Sequence, residues 1–147
     1  MFTPLASMPD ALLAAVLDRL LPGGEGWPAA GALGLGDTLR TQSTAIPAQA
    51  AATRAALGAL PPDFADLTPA AQDDALRSVE QAAPADFAAL VAAAYSAYYA
   101  DARVHAVIAA KSGAPVRPPQ PDGHVLPAFE ESRLARVKAR GPIWRPA

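Results

Sequence analysis

Residues 84–99 read PADFAALVAAAYSAYY, and this stretch decides the fold. Phe87, Leu90, Val91, Ala94, Tyr95, Tyr98 and Tyr99 recur at intervals of three and four, which is one face of an α-helix. Pro84 suits the first helical position, where its missing N–H costs nothing. Burial of Phe87, Leu90 and Val91 contributes about 1.5–3 kcal/mol each. A helix of this kind needs neighbours to cover it, and the flanking sequence supplies them.

Upstream, Thr68-Pro69 predicts a second helix, with threonine as N-cap and proline at the first position. Its apolar side is Ala71, Ala75, Leu76, Val79 and Ala83. Thr44 to Leu60 reads as an alanine-rich helix broken by Pro61-Pro62, and a short helix fits Leu33 to Arg40. Ser7-Met8-Pro9-Asp10 reads as a helix start, with Ser7 as the capping candidate. Leu12, Leu13, Val16, Leu17, Leu20 and Leu21 then share a broad face, opposite Asp18 and Arg19, until Pro22-Gly23-Gly24 stops the helix. Downstream, Asp101 to Ala110 continues as a further helix or a kinked extension.

Composition agrees. Alanine accounts for 38 of 147 residues, and aromatics for only 6%. Alanine loses no side-chain entropy in a helix, so the balance favours an all-α protein: a small irregular helical bundle. The absence of cysteine excludes disulfides, thiolate zinc sites, iron–sulfur clusters and covalent haem. The net charge of −2 gives no global field for nucleic acid. No apolar run is long enough to insert in a membrane. Met1 to Asp10 carries neither Lys nor Arg, so it does not read as an export signal. As written the chain reads as cytoplasmic, or as periplasmic if it is co-exported with a partner or a signal has been removed.

The charge is divided unevenly. Residues 1–110 hold five basic and eleven acidic side chains, and residues 111–147 hold seven basic and three acidic. Five prolines fall between Pro115 and Pro127. The pattern predicts a helical body over 1–112 and an extended, proline-rich basic arm over 113–147, packed on the body or on a partner. Pro118-Pro119-Gln120-Pro121 favours polyproline II, Glu130 to Ala139 a short charged helix, and Gly141-Pro142 its end.

No catalytic signature is present. The glycines of Gly31 to Gly36 lack dinucleotide-binding spacing and follow no strand. Asp101 and His105, four apart on one helix face, fit a local charge-assisted pair, a base with its orienting acid, or two metal ligands. Asp73-Asp74 and Glu130-Glu131 are explained by the positive ends of helices. Tyr95, Tyr98 and Tyr99 read as core with one phenol at the boundary, or as an aromatic ledge. Trp27 lies in a loop. Trp144 near the chain end either packs back or anchors in a partner, tryptophan and arginine being the residues that dominate interfaces. The partner-binding candidates are Pro119, Pro121, His124, Phe129, Arg136, Arg140, Ile143, Trp144 and Arg145.

Gln120-Pro121-Asp122-Gly123-His124, then Leu126-Pro127, Phe129 and Arg140-Gly141-Pro142-Ile143-Trp144-Arg145, resemble the C-terminal pattern of the gluconate 2-dehydrogenase subunit 3 family. Leu20-Leu21-Pro22 with Gly26-Trp27-Pro28 resembles the segment after that family's first helix. Tyr98-Tyr99-Ala100-Asp101-Ala102-Arg103-Val104 resembles its tyrosine-rich helix end. The resemblance implies a non-catalytic helical subunit without a cofactor of its own. Its partner would be a large FAD-dependent dehydrogenase of the glucose–methanol–choline type, often joined by a cytochrome c subunit. The small subunit would assist folding, maturation or stability of the large one. The alternative drawn from the residues alone is a self-contained ligand-binding or enzymatic domain using Tyr95, Tyr99, Asp101 and His105.

Overall fold

The structure is a computed structural model, and it describes residues 5–44, 46–113 and 128–141. The described residues form seven α-helices and no strand, so the protein is all-α. The chain divides into two units, Met1–Val116 and Arg117–Ala147.

In the first unit the helices are α1 (Asp10–Leu20), α2 (Gly36–Thr44), α3 (Pro47–Gly58), α4 (Pro69–Ala82), α5 (Pro84–Tyr99) and α6 (Ala102–Ser112). Prolines set three of the starts. Pro47, Pro69 and Pro84 each stand in the first helical turn. Thr68 caps α4 by accepting from the Ala71 N–H at 3.4 Å. The Thr44–Leu60 helix of the sequence reading begins later, because the residue before a proline is pushed to extended backbone; Ile46 sits at φ −125°, ψ 102°. The helix expected at Leu33–Arg40 is a 3₁₀ turn, Gly31–Leu33, followed by α2. Gly34, at φ 65°, separates them. Ser7 is not the cap of α1. It lies in a 3₁₀ turn, Leu5–Ser7, and Pro9 takes the cap position.

α5 is the centre of the bundle, packing against α1, α2, α3, α4 and α6, most extensively α3. Its buried side is Leu90, Ala93, Ala94, Ala97 and Tyr98. The face read from the sequence is therefore rotated. Phe87 and Val91 are half-buried, while Tyr95 and Tyr99 are each 45% exposed. The reason is steric. The separation of packed helices follows the side chains at the contact, and alanines permit the closest approach. Thr53, Ala56 and Leu57 are the buried residues of α3. Leu13, Val16 and Leu17 are those of α1. Phe64, in the 3₁₀ turn Phe64–Asp66, is fully buried, and its carbonyl accepts from Gln72 Nε2 at 2.9 Å.

Two arginines tie α1 to other elements. Arg19 grips Asp73 of α4 through two bonds of 2.7 Å. Arg40 reaches the Met8 carbonyl at 2.6 Å and Asp10 at 2.5 Å. Gly31 is a contact that only glycine allows. Its N–H donates to Asp18 at 2.7 Å, and a Cβ there would run into the Ala14 carbonyl and the Asp18 carboxylate.

In the second unit a 3₁₀ turn, Glu131–Leu134, leads into α7 (Ala135–Arg140), where the sequence suggested one helix over Glu130–Ala139. Gly141, at φ 71°, ends it. Phe129 and Val137 are exposed.

A pair of substitutions tests the α3–α5 packing. Ala94→Leu forces extra volume into the seam and lowers the unfolding free energy by about 1–3 kcal/mol. Ala92→Leu, on the exposed side of the same helix, changes it by less than about 0.5 kcal/mol. Urea denaturation of the two variants measures the difference.

Candidate functional site

Three segments meet at the C-terminal end of α5. The first is a tight turn: Gly24 and Trp27 exchange backbone hydrogen bonds of 3.1 and 2.9 Å. Its central residues, Glu25 and Gly26, have φ of 52° and 87°. Positive φ at both central positions marks a mirror-image turn, which glycine, asparagine and aspartate favour. Glu25 is the non-glycine residue held at positive φ among the described residues. That conformation costs an L-residue about 1–2 kcal/mol.

The second segment is the tyrosine row. Tyr98 is buried, and its hydroxyl donates to the Pro28 carbonyl at 2.9 Å, locking α5 to the strand of chain after the turn. Burial pushes the Tyr98 phenol above its ordinary range, with the neighbouring Tyr99 acting in the same direction. Tyr99 stands edge-on to Tyr98, with ring centres 5.3 Å apart and an interplanar angle of 84°. Tyr95 stacks parallel to Tyr99 at 6.0 Å. Two phenols are thus outward, where the core reading allowed one. A cleft of about 400 Å³ opens between Leu20, Glu25 and Trp27 on one side and Tyr98 and Tyr99 on the other.

The third segment is α6. Asp101 is its N-cap, accepting from the Arg103 N–H at 2.8 Å. The Arg103 guanidinium closes on the same carboxylate at 2.9 and 2.8 Å and also donates to the Leu33 carbonyl at 2.7 Å. These bonds to Arg103 hold the Asp101 carboxyl below the usual carboxylate range, against the opposing pull of desolvation. His105 donates from Nε2 to the Tyr99 carbonyl. The expected Asp101–His105 pair is therefore not made; each group has a separate partner. At the far end of α6, Lys111 Nζ lies 5.8 Å from the centre of the Trp27 ring.

The acidic doublets also have ion-pair partners: Glu130 and Glu131 stand at the cap and first turn of their 3₁₀ turn, as the dipole reading expects, whereas Asp73 and Asp74 lie beyond the first turn of α4. Asp73 binds Arg19, and that bond lowers its carboxyl. Asp74 pairs with Arg77, Glu130 with Arg133 and Glu131 with Lys138. Of the partner-binding candidates, Phe129, Arg136 and Arg140 are exposed. Pro119, Pro121, His124, Ile143, Trp144 and Arg145 lie outside the described residues. Glu25 and Lys111 were not singled out in the sequence, and Pro28 only as part of Gly26-Trp27-Pro28. Glycines on both sides of Glu25 were the available signal for a turn, but its strain is visible only in the backbone.

Among the described residues no cluster of His, Asp and Glu could hold a metal ion, and no helix is long and apolar enough to cross a membrane. Comparison with protein-family models, with curated proteins and with solved structures finds no match to this chain.

Two substitutions separate strain from electrostatics. Glu25→Gly removes the positive-φ penalty and raises the unfolding free energy by about 1 kcal/mol in a denaturant titration. Asp101→Asn keeps an N-cap but loses the charge facing Arg103. Because the folded Asp101 carboxyl is lowered, its contribution is full above the ordinary carboxylate pKa of about 3.9 and is lost as pH falls through the folded value. The variant is thus less stable than the parent at neutral pH, and the gap closes as acid protonates Asp101. Thermal melts across the acid range read this directly.

Proposed function

We propose that the chain is a non-catalytic small subunit of a flavin-dependent dehydrogenase of the glucose–methanol–choline type. The large partner carries FAD and oxidises a sugar, a sugar acid or another alcohol, and this chain assists its folding, maturation or stability. One observation carries the reading. Two segments that resemble the small-subunit family, Leu20–Pro28 and Tyr98–Val104, are distant in sequence yet form the two sides of one aromatic cleft, joined by the Tyr98–Pro28 hydrogen bond. Residues that could have served chemistry there hold the fold: Asp101 caps α6 and binds Arg103, and His105 is engaged by the Tyr99 carbonyl. That use disfavours the competing reading of a self-contained enzymatic domain built on Tyr95, Tyr99, Asp101 and His105.

The basic arm is the element that binds the partner. Phe129 is 66% exposed, and Arg136 and Arg140 stand exposed on α7 one turn apart. Trp144 and Arg145 complete the anchor set, being of the residue types that dominate interfaces.

A tagged chain expressed at native level tests the proposal. The expected eluate contains a large partner in near-stoichiometric amount with the absorbance of a flavin. A colourless chain that stays folded and alone would contradict it. In the recovered complex, Trp144→Ala and Phe129→Ala each weaken affinity by about 2 kcal/mol while leaving the helical body folded. Binding titrations paired with circular dichroism measure both.

A further inference from the structure

The aromatic cleft at the end of α5 has features that a docking subunit does not need. Tyr99, 45% exposed, stands edge-on at 84° to the buried Tyr98 and offers its own ring to the cleft. Trp27 lines the same cleft, and Glu25 stands at its rim. The faces of aromatic rings carry negative potential and attract cations, tryptophan most strongly. Lys111 Nζ lies 5.8 Å from the centre of the Trp27 ring, and it is the ammonium that a bound cation displaces from that ring. Glu25 is exposed and has no ion-pair partner among the described residues. It is also held at φ 52°. Backbone strain of that kind persists where the surrounding structure fixes it, and it concentrates at binding sites.

We propose that this cleft binds a small organic ammonium cation of the quaternary, choline-like class. The methylated headgroup sits against Trp27 and Tyr99, where its low hydration makes burial inexpensive, and the Glu25 carboxylate balances its charge. A neutral group of the same shape would gain the apolar contact but neither the ring attraction nor the carboxylate. Selectivity for charge at constant shape is therefore the signature of the site. This inference shares its cleft with the dehydrogenase-subunit reading but does not rest on it, since choline binding by the chain alone and recovery of a flavoprotein partner are separate outcomes.

The test titrates the full chain with choline chloride and follows the indole N–H resonance of Trp27 by NMR. The second indole signal is assigned to Trp144 by its loss in Trp144→Phe. Sodium chloride at equal ionic strength and neohexyl alcohol, the neutral carbon isostere of choline, are run alongside. Choline shifts the Trp27 signal saturably, sodium chloride does not, and neohexyl alcohol binds at least about ten-fold more weakly. Glu25→Gln weakens choline by about three-fold with the fold unchanged. Glu25→Gly separates the roles of the turn, because it stabilises the chain yet weakens choline binding as Glu25→Gln does. Equal binding of choline and neohexyl alcohol would overturn the proposal and leave a merely apolar cleft. The absence of any saturable shift would overturn it as well, and so would unchanged choline binding in Glu25→Gln.

Discussion

The close approach that alanine permits along α5 is the constraint on which the rest of the structure depends. Leu90, Ala93, Ala94 and Ala97 form the buried side of a helix that touches five others. Alanine gives up no side-chain entropy on burial, so a seam built from it is filled at little conformational cost. The price is modest apolar area per residue, and large side chains elsewhere make up the core: Leu13 and Leu17 of α1, Leu57 of α3 and Phe64 in its turn. With alanines turned inward, the bulky residues of α5 fall to the flanks. Tyr98 alone of the three tyrosines is buried, and Tyr95 and Tyr99 are left in view.

The polar framework follows from the same geometry. Helices packed around a central one leave their ends to be joined by side chains. Arg19 joins α1 to α4, Arg40 joins the start of α1 to α2, and Arg103 joins α6 to the 3₁₀ turn before α2. Such pairs contribute little stability each when exposed, but they fix directions. The acidic excess of the body is partly explained by them, since Asp10, Asp37, Asp73 and Asp101 are the carboxylates that receive these arginines. Glu25 is outside that framework. It sits on a turn whose shape an exposed glutamate does not favour, in the cleft that Trp27 and Tyr99 line.

Helix starts were legible in the sequence because covalent geometry dictates them. Proline fixes its own φ and restricts the residue before it, so Pro69 and Pro84 open α4 and α5 where the sequence puts them. The buried face of α5 was legible in part: Leu90, Ala94 and Tyr98 were read as buried, while Ala93 and Ala97 were not. Weighting by hydrophobicity favours Phe87, Val91 and the tyrosines, whereas packing selects for small size at the crossing. Asp101 and His105 were misjudged for a different reason. Four-residue spacing implies contact only inside a helix, and Asp101, at φ −77° and ψ 132°, is an extended capping residue just before it. The aromatic cleft was half legible. Its tyrosines and Trp27 stood out by type, but only tertiary structure brings residues 27 and 98 together. The acidic rim depends on a positive φ that residue type argues against.

Native-state hydrogen exchange tests the central role of α5 most directly. Amides in the core of a cooperative unit exchange only through global unfolding, and peripheral elements exchange through smaller openings. If the alanine seam holds the bundle together, the amides from Leu90 to Tyr98 share the highest protection in the chain. Their opening free energy then equals that of global unfolding measured by denaturant. Exchange of α5 through a smaller opening, while α1 or α4 keeps the highest protection, would contradict a bundle organised around α5.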